Sequence, residues 1–111
     1  IQENKAFLII KQGEIDKISK KTIAIEIEGI RIGDFVLVTF PGEPFARIGL
    51  KIKEKSPYKN TFLAGYSNGY IHYAPTSASY NEWGYEVINC ILSPEWQTIY
   101  EQEILKIITA L

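Results

Sequence analysis

Methionine is absent from this 111-residue chain, and cysteine and histidine occur once each, as Cys90 and His72. Without methionine the chain, which begins Ile1-Gln2-Glu3, lacks a translation start. Residues upstream are therefore expected, and any signal peptide would lie outside the sequence. A single cysteine excludes an internal disulfide and leaves the redox compartment open. Cys90 stands among Val87, Ile88, Ile91 and Leu92, which reads as a buried, inert thiol. A nucleophile would need a base, and the one histidine is not near it in sequence. Long hydrophobic runs are missing too. The longest, Ala6 to Ile10, falls far short of the roughly 20 residues a membrane-crossing helix needs. Nor is there an excess of charge: 12 basic residues meet 13 acidic ones, for a net −1. That balance disfavours nucleic acid and anionic lipid as partners. The lysine groups 17, 20, 21 and 51, 53, 55 read as solvated faces. No P-loop, zinc-ribbon, Ser-His-Asp or HExxH pattern occurs, and no repeat or flexible linker divides the chain.

What is present fits a globular protein. Hydrophobic residues make up 46% and charged residues 23%, and 111 residues suffice for one core. Residues 1–111 are accordingly read as a single domain or a piece of one. Residues 1–20 are the hardest to read, because Ala6 to Ile10 fits either a short strand or a helix face. Beyond Thr22 the pattern sharpens. Ile23, Ile25 and Ile27 alternate with Ala24, Glu26 and Glu28, which predicts a strand with its acids outward. Gly29 interrupts it, Ile30-Arg31-Ile32 resumes, and Gly33-Asp34 signals a turn. Residues 35–40 are apolar almost throughout and predict a strand covered on both faces. Pro41-Gly42 ends it. Phe45, Ile48 and Ile52 predict a helix over 43–54 with lysines toward its end. Residues 61–66 predict another strand, Asn68-Gly69 a turn, and Tyr70 to Asn81 an irregular surface loop. Residues 85–92 predict a last strand. Ser93 as cap and Pro94 as first residue open a C-terminal helix, whose stripe is Trp96, Tyr100, Ile104, Ile107, Ile108 and Leu111. The fold class is α/β or α+β: a strand–helix–strand unit in a mixed sheet with a C-terminal amphipathic helix.

That unit has a geometric consequence. Its two strands should lie parallel with a right-handed crossover. Glu43 then follows the carboxyl end of one strand, and Asn68, Tyr70, His72 and Tyr73 follow that of the other. Open α/β sheets bind ligands at this edge. Plainer readings stand beside this one. Glu43 at a helix start would satisfy free N–H groups, worth about 0.3–1 kcal/mol. His72 alone is more often a hydrogen-bonded structural residue, and the tyrosines fit half-buried rings covering the sheet. Trp83 and Trp96 read as anchors of core or loop.

Pro41-Gly42-Glu43, followed by Gly65-Tyr66-Ser67-Asn68-Gly69-Tyr70-Ile71-His72-Tyr73 and then Gly84-Tyr85-Glu86, resembles the neutral/alkaline (non-lysosomal) ceramidase family. The approach segment Ile30 to Val38 resembles it too, and the likeness runs from about Ile23 to Glu86. It implies that the chain is the C-terminal part of a larger catalytic domain. It implies one zinc held by two histidines upstream, by Glu43 and by Tyr73. Tyr70, His72 and Asn68, with Tyr80, would be substrate-contacting or supporting groups. The implied reaction is metal-assisted hydrolysis of a lipid-like N-acyl amide, in a secreted or periplasmic protein whose N-terminal remainder completes the site. Alone, the chain is expected to be inactive. Pro44 stands in place of the family's bulky residue, its paired arginines are missing from the helix, and acids are missing before Tyr80. These departures suggest a distant, bacterial-type branch. The alternative from another class is a non-catalytic interaction module that binds through the tyrosine-rich loop.

Overall fold

The structure is a computed structural model and describes residues 1–11, 22–82 and 84–111. The lysines at 17, 20 and 21 and Trp83 lie outside the described residues. In chain order the elements are β1 (Gln2–Lys11), β2 (Thr22–Ile32), β3 (Phe35–Thr39), β4 (Glu43–Pro44), α1 (Ala46–Lys55), β5 (Asn60–Ala64), β6 (Tyr73–Ala74), a 3-10 turn (Ser77–Asn81), α2 (Tyr85–Ile88) and α3 (Trp96–Thr109).

The main sheet has the order β1-β2-β3-β5. Its first three strands are antiparallel, while β3 and β5 run parallel with Val36 opposite Thr61 and Val38 opposite Leu63. The sheet is therefore mixed and the strand–helix–strand unit parallel. The ambiguous Ala6 to Ile10 segment is strand, paired along its length with residues 23–27. Helix α3 lies across β1 to β3, and α1 lies against β5 and α3.

Alternation decides what is buried. Leu8, Ile10, Ile25, Ile27, Val36 and Val38 point into the core and meet Ile48 and Ile52 of α1 and Ile104, Ile107 and Ile108 of α3. Fully burying each such side chain contributes about 1.5–3 kcal/mol relative to leaving it in water. Gly29 belongs to this packing, since a Cβ there would come within 2.5 Å of the Ile107 side chain. That contact explains a glycine inside a strand.

Two aromatic residues of α3 pin the edge of the sheet where β3 ends. Tyr100 is fully buried and its hydroxyl donates to the Thr39 carbonyl at 2.8 Å. Trp96 is also fully buried and donates from Nε1 to the Pro75 carbonyl at 2.8 Å. Phe40 fits between their rings, with centroids 5.2 Å and 5.0 Å away.

Several local expectations are corrected. Residues 85–92 form no strand. Asn89 closes a single helical turn through its backbone N–H and side-chain amide to the Tyr85 carbonyl, and Cys90 makes only an isolated bridge with His72. Helix α1 begins at Ala46 rather than 43, because Glu43-Pro44 pairs with Tyr73-Ala74 instead. Helix α3 begins at Trp96, with the Ser93 carbonyl accepting the Trp96 N–H at 3.1 Å and the Ser93 hydroxyl not capping it. Strand β3 is fully covered on one face only, the other being open at Phe35, half-covered at Leu37 and closed at Thr39. Val36 and Val38 are buried, while Phe35 is exposed and stacks on Phe62 at 5.5 Å. Glu26 and Glu28 share that outer face with Lys5, as the outward alternation requires. Among the described residues no helix is long and apolar enough to cross a membrane.

Candidate functional site

The site forms where the chain leaves β3. After Phe40 the segment 41–45 lies beside segment 71–74 through three backbone bonds. Ile71 donates to the Pro41 carbonyl at 2.7 Å, Glu43 to that of His72 at 2.9 Å, and Phe45 to that of Ala74 at 3.1 Å. Gly42 permits this approach, since a Cβ there would lie 2.6 Å from the His72 carbonyl oxygen. The result is the short parallel ladder of β4 and β6, with Glu43 opposite Tyr73. Residues on one rung of a parallel ladder project to the same side.

The connection from β5 to β6 carries unusual backbone. Tyr66, Asn68 and His72 all have positive φ, at 55°, 63° and 68°. Non-glycine residues there cost on the order of 1–3 kcal/mol each and concentrate at functional sites. The turns bring Tyr66 and Tyr70 into a stack with centroids 5.5 Å apart, and Tyr70 meets the His72 ring at 5.4 Å. The Tyr70 hydroxyl donates to Glu43 Oε2 at 2.5 Å. The Tyr66 hydroxyl also interacts with the same carboxylate.

Electrostatics follow from these contacts. Hydrogen bonds from Tyr66 and then Tyr70, with the nearby His72, hold the Glu43 carboxyl below its ordinary range. The same bonds push Tyr66 and Tyr70 up to about 12, because each phenol donates to a charge it would repel once ionised. Tyr73 is also raised, first by desolvation and then by the Glu43 charge. Its ring lies edge-on to Tyr85 at 5.7 Å.

Four of the residues singled out from sequence, Glu43, Tyr70, His72 and Tyr73, thus gather at one edge. Asn68 sits exposed on its turn, and no hydrogen bond joins it to the cluster among the described residues. Tyr80 is directed elsewhere, donating to the Leu92 carbonyl at 2.9 Å and lying 3.1 Å from the Cys90 sulfur. Cys90 is half-buried, and that burial raises its thiol above the ordinary value, which fits an inert role. Glu43 is not a first-turn helix carboxylate, since it precedes α1 in β4. Tyr66 and Tyr85 were not anticipated. The tyrosine-rich composition was visible, but nothing local showed which rings would turn toward Glu43.

As metal donors, Glu43 and Tyr73 offer a carboxylate and a phenol on one rung. Tyr70 holds one carboxylate oxygen, as outer hydrogen bonds commonly hold metal-ligating carboxylates. Zinc accepts such oxygen donors but needs three or four protein ligands. Among the described residues no group of three or more His, Cys, Asp or Glu is close enough to hold a metal ion. Glu43 and Tyr73 are two oxygen donors, short of that number.

The chain is 32% identical over 68 residues to the neutral ceramidase of Mycobacterium tuberculosis (strain ATCC 25618 / H37Rv), an alignment covering 56% of this chain and 11% of that protein. The crystal structure of neutral ceramidase from Pseudomonas aeruginosa superposes with a TM-score of 0.69 at 26% identity, over 78% of this chain and 15% of that one. This chain is a relative of the neutral ceramidases. A ceramidase complexed with C2 shares the fold at a TM-score of 0.70 and 22% identity, over 85% of this chain and 18% of that one. No family model matches. The ceramidase relative spans between about a tenth and a fifth of the proteins it matches.

Proposed function

We propose that this ceramidase relative supplies the carboxylate–phenol half of a zinc-dependent amidohydrolase that cleaves a ceramide-like N-acyl amide. On this reading residues 1–111 are the C-terminal part of a catalytic domain, two histidine ligands come from outside the chain, and the chain alone is inactive. The observation that carries it is the shared rung of Glu43 and Tyr73, with Tyr70 hydrogen-bonded to the carboxylate.

The chemistry a bound zinc supplies in such a site is activation of water near neutral pH and polarisation of the amide carbonyl. The chain's own residues prepare for that. Glu43 and Tyr73 are the ligands. Tyr70 and Tyr66 fix the carboxylate's orientation and keep it ionised. Tyr85 limits the freedom of the Tyr73 ring. His72 and Asn68, exposed at the rim, are placed to meet substrate. The upward shift of Tyr73 comes first from desolvation and then from the Glu43 charge, and a bound cation would oppose both by favouring the phenolate.

The test is release of fatty acid from an N-acyl sphingosine by the full-length protein. Wild type should hydrolyse it, Glu43→Ala should not, and residues 1–111 alone should not. Undiminished activity in Glu43→Ala would contradict the proposal. The rival reading, an interaction module, draws on the exposed rings of Tyr66, Tyr70 and Tyr85. It would be favoured if the full-length sequence contained no upstream histidines at strand ends.

A further inference from the structure

A trough of about 550 Å³ runs from Glu43 along one side of α1, within the ~300–1,000 Å³ usual for small-molecule sites. One wall is the helix stripe Ala46, Gly49, Leu50 and Lys53, spaced i, i+3, i+4, i+7. The other is β5, from Phe62 and Leu63 to Gly65 and Tyr66 just beyond it. Strand β5 delivers Tyr66 to Glu43 at its carboxyl end, and α1 runs the opposite way. Lys53 therefore lies about two helical turns, roughly 10 Å, beyond Ala46. The trough has a carboxylate at one end, an ammonium at the other, and apolar walls between.

Those walls are large side chains that the fold leaves in water. Leu50 is 61% exposed and Phe62 41%. Lys53 Nζ sits 4.4 Å from the centre of the Phe62 ring, so its charge is held at the mouth of the apolar stretch. Lys51, by contrast, is turned away to Glu101 at 3.0 Å. An occupant matching this surface carries a neutral polar group at the Glu43 end, an apolar arm, and an anion at the Lys53 end.

We propose that the trough binds the apolar arm of an amide, and that Lys53 selects arms ending in an anion roughly 10–15 Å from the amide group. The proposal rests on the amidohydrolase reading only for which end of the ligand faces Glu43. Binding itself requires no catalysis.

The test is calorimetric titration of the full-length protein, zinc-loaded and chelator-stripped, with two probes. One is ω-acetamidodecanoate, which has an amide at one end and a carboxylate at the other. The second is N-decylacetamide, with the same amide and no anion. At low salt the anionic probe should bind roughly three- to fivefold more tightly, the scale of an exposed ion pair. Lys53→Gln should abolish that preference and leave the neutral probe's affinity unchanged. Leu50→Lys, at a position 61% exposed, should weaken both probes severalfold and leave the circular dichroism unchanged. Equal affinity for the two probes in wild type, or a preference surviving in Lys53→Gln, would overturn the proposal. So would failure of both probes to bind a protein that still holds zinc and hydrolyses amides, since the trough would then be covered. Binding as expected in a protein that neither holds zinc nor hydrolyses amides would support the trough and sink the hydrolase reading.

Discussion

Gly42→Ala adds one methyl group where the fold has no room for it. The new Cβ would lie 2.6 Å from the His72 carbonyl oxygen, 3.1 Å from the Phe40 ring and 3.3 Å from the Ile71 side chain. Comfortable carbon contacts are near 3.5–4.0 Å. The ring and the Ile71 side chain can shift slightly, but the carbonyl belongs to the strand partner and accepts the Glu43 N–H at 2.9 Å. Relieving the clash must therefore spread the rung that carries Glu43 and Tyr73. Overpacking of this kind costs about 1–3 kcal/mol, and the weakened hydrogen bond adds about 0.5–1.5 kcal/mol. The sum, about 1.5–4.5 kcal/mol, is a large part of the ~5–15 kcal/mol that holds a domain folded. Urea unfolding followed by tryptophan fluorescence should show the midpoint falling with the slope unchanged. In the same variant the Tyr70 phenol should titrate below its wild-type value of about 12, because the carboxylate has moved. A variant within 0.5 kcal/mol of wild type would refute the reasoning, the more so if Tyr70 were unshifted, and Gly42 would not be what sets the approach of the two segments.

Glu43→Gln should bring Tyr66 and Tyr70 down from about 12 toward the ordinary phenol value near 10, read by ultraviolet absorbance titration. An unchanged titration would mean that neither hydroxyl donates to that carboxylate. The cluster also fixes two pH limits. Because the folded Glu43 pKa is depressed, its contribution is complete above the ordinary carboxylate range and is lost as pH falls through the lower folded value. Because Tyr66 and Tyr70 are raised, theirs is complete below about pH 10 and is lost as pH rises through about 12. Urea midpoints across pH should show both edges in wild type and lose them in Glu43→Gln; identical profiles would contradict the assignment. Tyr100→Phe should cost about 1–3 kcal/mol in thermal or urea unfolding, since it strands the buried Thr39 carbonyl. A neutral substitution would mean that the carbonyl finds another donor.

Much of the scaffold was legible because its signals are local and periodic. The alternation of Ile23, Ile25 and Ile27 gave β2, and the apolar stripe from Trp96 to Leu111 gave α3. The helix between residues 40 and 60 left the flanking strands only a parallel arrangement, and from that alone Glu43, Tyr70, His72 and Tyr73 could be put at one edge. What escaped depends on pairing between distant segments. Nothing near Glu43-Pro44 announces a ladder with residues thirty positions on, and Pro44 looks locally like a helix start. Residues 85–92 carry a β-like composition, yet Asn89 folds them into a helical turn. The single-sided covering of β3 was equally invisible, because an apolar run does not say how many layers pack on it. Tyr66 meets Glu43 from a turn where its own φ is positive, which its sequence neighbours do not advertise.

Metal content of the full-length protein tests the central claim most directly. Purified protein should carry one zinc per chain. Glu43→Ala should lose it, Tyr73→Phe should hold it more weakly, and all three proteins should give the same far-ultraviolet circular dichroism. Properly folded wild type with no zinc, or Glu43→Ala with a full complement, would contradict the account.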